Sequence, residues 1–186
     1  MFISKKSILS IGFLLMLSLF LAACSGSGDK TNTDSKDKAK GDTKGGDLII
    51  ASLSDARSLD PHSSNDVPSS NVASNIYETL VYLDENMEPT PLLAESWESI
   101  DDLTWEFKLK KDVKFHDGSD FNANVVKANL DRILDEKIAS PRAFLFEMVT
   151  DVEVVDDYTV RIKTEYPFAP LLSHFSHTGG GMISEE

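Results

Sequence analysis

The composition of residues 25–46 limits the fold of this chain more than any other feature. Ala39 is the only apolar side chain in this segment, and the rest is almost entirely lysine, aspartate, serine, threonine and glycine. Such a segment cannot bury enough apolar surface to offset the entropy lost on ordering. We therefore expect residues 24–46 to form a disordered tether and residues 47–186 to form the folded part.

The segment before the tether has the parts of a secretory signal. Lys5 and Lys6 give a positive start, and residues 8–21 are almost wholly apolar. This run is shorter than the ~20 residues that span a bilayer comfortably. We predict a signal peptide over residues 1–23, and the length of the run disfavours the alternative, a permanent membrane helix.

The signal ends in Leu21-Ala22-Ala23-Cys24, which resembles the lipobox of bacterial lipoproteins. The resemblance implies cleavage before Cys24 and a diacylglyceryl group on its sulfur. Cys24 is the only cysteine of the chain, so a disulfide framework is excluded. We expect a lipid-anchored protein at the extracytoplasmic face of the cell membrane, in the periplasm or on the outer surface. An ordinary signal followed by a chance cysteine is the alternative.

The charge and the apolar content exclude other classes. A formal net charge of −13 argues against a hold on nucleic acid phosphates, which needs surplus lysine and arginine. Apolar residues make up 41 % of the chain, which is enough for a core. We interpret the acidity as a source of solubility.

Aliphatic and helical patterns predict three elements of the folded part. Residues 47–53 form an aliphatic run that predicts a buried strand. Apolar residues at helical spacing predict helices over residues 70–80 and 122–134, the second with Asn122 as its N-cap.

Two further patterns predict antiparallel strands. Residues 104–110 alternate between apolar and polar side chains, which predicts a strand whose polar face, including Glu106 and Lys108, meets solvent. Residues 152–155 and 159–163 flank a pair of aspartates and predict a hairpin. Because no βαβ rhythm is present, the fold class predicted is α+β.

Catalytic motifs are not visible in the sequence. His174 and His177 are three residues apart, but two imidazoles alone make a weak metal site, and we predict neither a metal nor a cofactor. No Gly-x-Ser-x-Gly elbow or phosphate-binding loop is present. A secreted serine hydrolase using His116-Asp117 stays open as an alternative, but the pattern favours a binding module, not an enzyme.

Three groups of residues carry a resemblance to a known family. They are 59–62 with 67–71 and 77–80, then 93–98 with 103–118, and finally 154–160 through 167–172. Together they resemble the extracytoplasmic solute-binding proteins, family 5, of bacterial ABC importers for oligopeptides, dipeptides, glutathione and nickel complexes. Residues 121–132 look closest to the glutathione- and peptide-binding branch.

The resemblance implies a type II periplasmic-binding-protein fold with an additional domain. Residues 47–78 and 178–186 would be pieces of lobe I, and residues 79–177 the inserted mixed domain. In the peptide binders of this family, the strand after the Asp-Pro-His turn runs beside the main chain of the ligand. The matching positions are Asn65, Asp66 and Val67, and the physics would be β-augmentation.

The resemblance also implies partners and function. We expect a substrate-binding component of an ABC importer, with a peptide or other small solute as ligand and a membrane permease as partner. The protein is expected to be a monomer. A nickel-chelate or haem receptor of the same family is the alternative. Family members are more than twice as long, so we expect this chain to be a truncated N-terminal portion.

Overall fold

The computed structural model describes residues 46–185. The signal peptide, the lipidated Cys24 and nearly all of the tether predicted above lie outside the described residues. The helices are α1 (Val67–Ala73), α2 (Ala123–Leu134) and α3 (Leu171–Phe175), with 3₁₀ turns at Ala143–Leu145 and Thr178–Gly180. The strands are β1 (Val81–Leu83), β2 (Pro89–Pro91), β3 (Ala94–Asp101), β4 (Thr104–Leu109), β5 (Val149–Asp156) and β6 (Thr159–Thr164). No helix among residues 46–185 is long and apolar enough to cross a membrane.

The centre of the fold is a four-stranded antiparallel sheet in the order β3-β4-β6-β5. The strand predicted over residues 104–110 is confirmed as β4, and the predicted hairpin is confirmed as β5 and β6. Between them, the Asp156 carboxylate accepts a hydrogen bond from the Tyr158 amide at 2.8 Å and closes the turn. The α+β class with antiparallel pairs is therefore confirmed.

One face of the sheet forms the core with α2 and α3. Phe107 of β4 is fully buried and meets the ring of Phe175 edge-on at 5.4 Å. Leu130 and Ile133 of α2 are buried in the same cluster, and α2 packs against β5 and β6. Burial of such aliphatic and aromatic side chains stabilises the fold by ~1.5–3 kcal/mol each, and this supports the sheet that carries the rest.

The predicted solvent face of β4 is partly wrong. Glu106 is only 8 % exposed, because Arg161 on β6 and Lys108 on its own strand cover it. Its carboxylate pairs with Arg161 Nε and with Lys108 Nζ, each at 2.8 Å. Alternation along one strand fixes the face that a residue takes, but long side chains of the neighbouring strand decide whether that face is open.

The helix predicted over residues 122–134 is confirmed. Asn122 caps α2, since its Oδ1 accepts hydrogen bonds from the amides of Asn124 at 2.9 Å and Val125 at 3.2 Å. The capped amides are among those that have no partner within the helix.

The helix predicted over residues 70–80 lies elsewhere, at Val67–Ala73. Asp66 caps it and Pro68 occupies its second position, where a missing amide proton costs nothing. Residues 79 and 80 instead accept backbone hydrogen bonds from Leu93 and Ala94. The apolar spacing thus continued past the true end of the helix, because Leu80 is buried by the sheet region and not by a helix face.

The buried strand predicted over residues 47–53 is wrong for this structure. The segment has no regular structure, and Ile49, Ile50 and Leu53 are exposed by 91 %, 77 % and 108 %. A strand needs a neighbour to satisfy its backbone groups, and within residues 46–185 no strand pairs with this segment.

Candidate functional site

The segment that the resemblance leads us to expect at the ligand begins with a tight turn at Asp60-Pro61-His62. Asp60 Oδ1 accepts a hydrogen bond from the His62 amide at 2.9 Å, and the Asp60 carbonyl accepts one from the Ser63 amide at 3.2 Å. Pro61 and His62 are buried. The turn therefore points its histidine into the protein and leaves the following residues nearer the surface.

His62 joins three distant parts of the chain. Its Nδ1 accepts a hydrogen bond from Arg132 at 2.8 Å, and its Nε2 donates to the Gly181 carbonyl at 2.9 Å. The Ser140 hydroxyl donates to the His62 carbonyl at 2.6 Å. Because arginine can only donate and a carbonyl can only accept, the ring is neutral with its proton on Nε2.

The hydrogen bonds that join His62 to residues 132, 140 and 181 form what we call the clamp. An ion pair strengthens this clamp. Both terminal nitrogens of Arg132 donate hydrogen bonds to the Asp60 carboxylate, at 2.6 Å and 3.3 Å. Burial raises the pKa of Asp60, but hydrogen bonds from Arg132 and the His62 amide outweigh it, so the pKa lies below its ordinary value. Burial lowers the pKa of His62, which the bond to Gly181 opposes only in part. The carboxylate is thus charged and the imidazole neutral at neutral pH.

The three predicted ligand-binding residues follow directly. Asn65 is exposed, and its Oδ1 accepts a hydrogen bond from Arg142 at 2.6 Å. Asp66 is half-buried and caps α1, with Oδ1 accepting from the Ser69 amide at 3.0 Å, a bond that lowers the pKa of Asp66. Val67 is 71 % exposed.

The strand expected at these three positions is wrong. Residues 63–66 form no strand, and Val67 is the first residue of α1. Asp66 caps the helix, so the Ser69 amide is bonded to Asp66 Oδ1 and the Ser70 amide to the Asp66 carbonyl, and neither is free for a ligand. Hydrogen bonding to a ligand from this segment would therefore rely on side chains and on the backbone before Val67.

Asn65 and Asp66 line a small concavity of about 330 Å³. Its other lining residues are Arg57, Ser58, Ser63, Ser64 and Pro141. Ser69 fixes the position of this lining. Its hydroxyl accepts a hydrogen bond from the Arg57 amide at 2.9 Å and donates one to the Asp66 carboxylate at 3.0 Å. A wider groove of about 920 Å³ lies elsewhere, among residues 74–78, 113–117 and 182–184.

His116 and Asp117, the pair that left a serine hydrolase open as an alternative, lie in a turn. Asp117 accepts hydrogen bonds from the Ser119 hydroxyl at 2.6 Å and its amide at 2.8 Å, and these bonds help lower the pKa of Asp117 to about 2. Asp117 thus closes a turn, and no hydrogen bond within the described part of the chain joins His116 to a serine. The arrangement is not a catalytic triad.

The remaining histidines bond to backbone. His174 Nδ1 donates to the Leu145 carbonyl at 2.7 Å, and His177 Nδ1 accepts from the Gly179 amide at 3.0 Å. Across residues 46–185, no cluster of three or more histidine, aspartate or glutamate side chains is arranged to hold a metal ion.

Sequence reasoning missed the two arginines that hold the segment. Arg132 and Arg142 lie 72 and 77 residues from their partners Asp60 and Asn65. The helical pattern placed Arg132 on α2, but no local signal in the sequence pairs either arginine with the turn.

Comparison with known proteins places this architecture in a class, the extracellular solute-binding proteins of bacteria. The family described as "Bacterial extracellular solute-binding proteins, family 5 Middle" matches residues 88–185. The chain belongs to this family, as the resemblance predicted.

Similar curated proteins include the glutathione-binding protein GsiB of Pectobacterium atrosepticum, which is 42 % identical over 139 residues. The match covers 74 % of this chain and 27 % of that protein. The chain thus spans about a quarter of the length of the curated relatives it matches.

Solved structures show the same fold. NikA from Brucella suis, in complex with Fe(III)-EDTA, superposes with a TM-score of 0.63 at 35 % identity, over 70 % of this chain and 26 % of that one. Haemophilus influenzae OppA, in complex with the peptide RPPGFSPFR, gives 0.65 at 30 % identity, over 70 % and 29 %. The periplasmic-binding-protein-like fold class is confirmed.

Proposed function

We propose that this chain is the N-terminal part of a lipid-anchored, extracytoplasmic substrate-binding component of an ABC importer for peptides. The observation that carries the proposal is membership of the family over residues 88–185. The identity of 42 % to a protein named for glutathione binding, and of 30 % to a structure holding a peptide, favours a peptide among the solutes. The proposal gives the chain a binding role and no catalytic one.

Residues 65–67 form one wall of the proposed ligand cleft. The clamp at His62 and the cap at Asp66 fix this segment from behind, while Asn65 and Val67 stay exposed. A wall that is already ordered loses little conformational entropy on binding. This is the physical property that a receptor for short, flexible peptides requires.

The domain division is part of the proposal. Residues 47–78 and 178–186 belong to lobe I, and residues 79–177 form the inserted domain. Two contacts support this: the Met182 amide donates to the Glu78 carbonyl at 2.9 Å, and His62 bonds to Gly181. The chain leaves after residue 78 and returns beside it at residue 182, as an insertion requires.

An uptake experiment tests the proposal. The substitution Asn65→Ala is placed in the chromosomal copy, and import of labelled glutathione and of labelled trialanine is measured in whole cells. We expect a loss of uptake, while Asn71→Ala, an exposed asparagine of α1, leaves it unchanged. Normal uptake of both peptides after deletion of the whole gene would refute the proposal.

A metal-chelate receptor is the second candidate. The identity of 35 % to NikA bound to Fe(III)-EDTA favours it. A chelate brings its own ligands, so a protein cluster of metal-binding side chains is not required. The same cells are tested for nickel accumulation: loss of nickel uptake with normal peptide uptake would select this candidate over the first.

A further inference from the structure

Arg142 is a buried cation that makes no direct ion pair with a described residue, although the Asp66 carboxylate acts on it from a greater distance. It is 2 % exposed, and between residues 46 and 185 no carboxylate oxygen lies within 4.0 Å of its side-chain nitrogens. A buried charge is costly unless hydrogen bonds and a partner compensate for it. The groups that do bond to this guanidinium therefore indicate why it is there.

Both terminal nitrogens of Arg142 hold the proposed ligand wall. Nη1 donates to Asn65 Oδ1 at 2.6 Å, and Nη2 donates to the Ser70 hydroxyl of α1 at 2.8 Å. The fork thus ties the loop before the helix to the helix itself. Nε has no partner within the described residues.

The bond decides which way the Asn65 amide faces. Arginine has no acceptor, so the amide must turn its oxygen inward to Arg142 and its Nδ2 group away. Nδ2 makes no hydrogen bond to any described residue, and Asn65 is exposed. The outer side of the wall therefore presents two free N–H donors at a fixed position.

The position of Arg142 is itself set by its surroundings. Its amide donates to the Ser140 hydroxyl at 3.1 Å, the same hydroxyl that bonds to His62. A Cβ on Gly179 would lie 2.7 Å from the Arg142 Cδ, so the absent side chain makes room for the arginine stem. The guanidinium is held before any ligand arrives.

We propose that Arg142 is the positioning residue of this wall: it orients the Asn65 amide so that Nδ2 donates to a carbonyl or carboxylate oxygen of the bound peptide. The ligand half of this inference rests on the proposed function, whereas the orienting half concerns the protein alone. Arg142 acts through Asn65 and is not required to touch the ligand.

The orienting half is tested by nuclear magnetic resonance on the ¹⁵N-labelled full chain. The ¹H–¹⁵N nuclear Overhauser effect of Asn65 Nδ2 reports the order of that side chain. We expect restricted motion in the wild type and a loss to the level of the exposed Asn71 side chain in Arg142→Met. The matched control, Arg161→Met on β6, leaves Asn65 ordered. Unchanged order in a folded Arg142→Met overturns the inference.

Two further variants test the same inference if Arg142→Met does not fold. Arg142→Lys keeps the charge but loses the planar fork, so we expect the order of Asn65 to fall here as well. Asn65→Asp keeps an acceptor for Arg142 and removes both outward donors. It should retain the wild-type thermal midpoint or exceed it, and a lower midpoint contradicts the assigned orientation.

The ligand half uses trialanine and trialanine amide at millimolar concentration. Shifts of the Asn65 Nδ2 resonances with both peptides assign the acceptor to a main-chain carbonyl, and shifts with trialanine alone assign it to the carboxylate. In Asn65→Asp, which has no Nδ2 group, we expect the peptides to cause no chemical-shift changes at residues 65–67. Shifts at Ser63 and Ser64 without any at Asn65 Nδ2 overturn the inference. A titration that shifts no resonance at millimolar peptide overturns the ligand half of the inference, while the uptake experiment decides the proposed function and the order measurement decides the role of Arg142.

Discussion

His62 shows how one buried residue makes the stability of the fold depend on pH. The folded protein holds this imidazole neutral, with a pKa lowered by burial. The unfolded chain takes up the proton at about pH 6.5, before the folded chain does. Stability is therefore fully present above this pH and is lost as pH falls through the lower pKa of the folded state.

The prediction is an acid-sensitive fold. The free energy of unfolding should fall below about pH 6.5, by at most ~1.4 kcal/mol per pH unit for each such group. His62→Gln should reduce this slope, and His177, whose pKa burial also lowers, should account for part of the remainder. Urea unfolding over a pH series measures this dependence of the free energy of unfolding on pH. His116→Gln, in an exposed turn, is the control variant. An unchanged slope in His62→Gln would contradict the neutral clamp.

Gly179 is the residue at which one methyl group should matter most. A Cβ there would stand 2.7 Å and 2.9 Å from the stem of Arg142 and 2.9 Å from Leu145. Overpacking of this kind costs typically ~1–3 kcal/mol. We expect Gly179→Ala to lower the free energy of unfolding by about that amount. Gly46→Ala, which has nothing within 4 Å, is the control in the same denaturation experiment.

Cys24 carries the prediction of the membrane anchor, which rests on the sequence alone. Cells fed an alkyne fatty acid should label the wild-type protein at this residue, because the lipobox places the only thiol of the chain there. Two or more acyl chains hold a protein stably at a membrane, whereas one is marginal. Cys24→Ser should remove the label and release the protein from membranes; equal labelling of both proteins would exclude the anchor.

At the scale of elements, the sequence predicts what local chemistry decides. The cap at Asn122 and the strand that the alternation over residues 104–110 predicts are local features, and both are confirmed. The backbone pairing of residues 79 and 80 and the covering of Glu106 depend on partners distant in sequence, namely Leu93, Ala94 and Arg161. Those contacts form only after the sheet assembles, so no window of the sequence contains them.

The cap of α2 offers a test at this scale. Asn122→Ala removes the acceptor of two amides at the start of the helix and should cost about 1 kcal/mol of stability. Because α2 packs on β5 and β6, the loss should appear in global unfolding and not as local fraying. Asn71→Ala on α1 is the matched control, since no hydrogen bond of its side chain is found in the described part. Equal stability of both variants would show that the cap contributes nothing.

At the scale of the whole molecule, family resemblance predicted more than the physics of single segments did. Residues 103–118 and 154–172 carry motifs of a known family, and the fold class followed from them. The proposal of a ligand site at residues 65–67 rests on the family resemblance, and the sequence did not predict the contacts that support this segment. The clamp joins residues 62, 132, 140 and 181, and the wall joins residues 65 and 142. Pairs this far apart in the sequence produce no periodic pattern from which they could be predicted.

The polypeptide of residues 1–186 by itself spans about a quarter of the length of its curated relatives. Solute sites bury most of a ligand between surrounding walls. A single wall built on Asn65 offers a few hydrogen bonds, each worth about 0.5–1.5 kcal/mol net. Association costs roughly 4–15 kcal/mol in lost freedom, so the balance lies near zero.

We therefore expect binding of trialanine or glutathione to this polypeptide only in the millimolar range or weaker, by isothermal titration. The glutathione-binding protein of Pectobacterium atrosepticum, titrated in the same buffer, serves as the comparison. The exposed aliphatic side chains of Ile49, Ile50 and Leu53 should also make the isolated polypeptide prone to associate, because an unpaired apolar segment invites pairing between chains. Micromolar binding by this polypeptide would mean that a complete site lies within it, and the wider groove among residues 74–78, 113–117 and 182–184 would then be the place to look, since its volume of about 920 Å³ is large enough for a tripeptide.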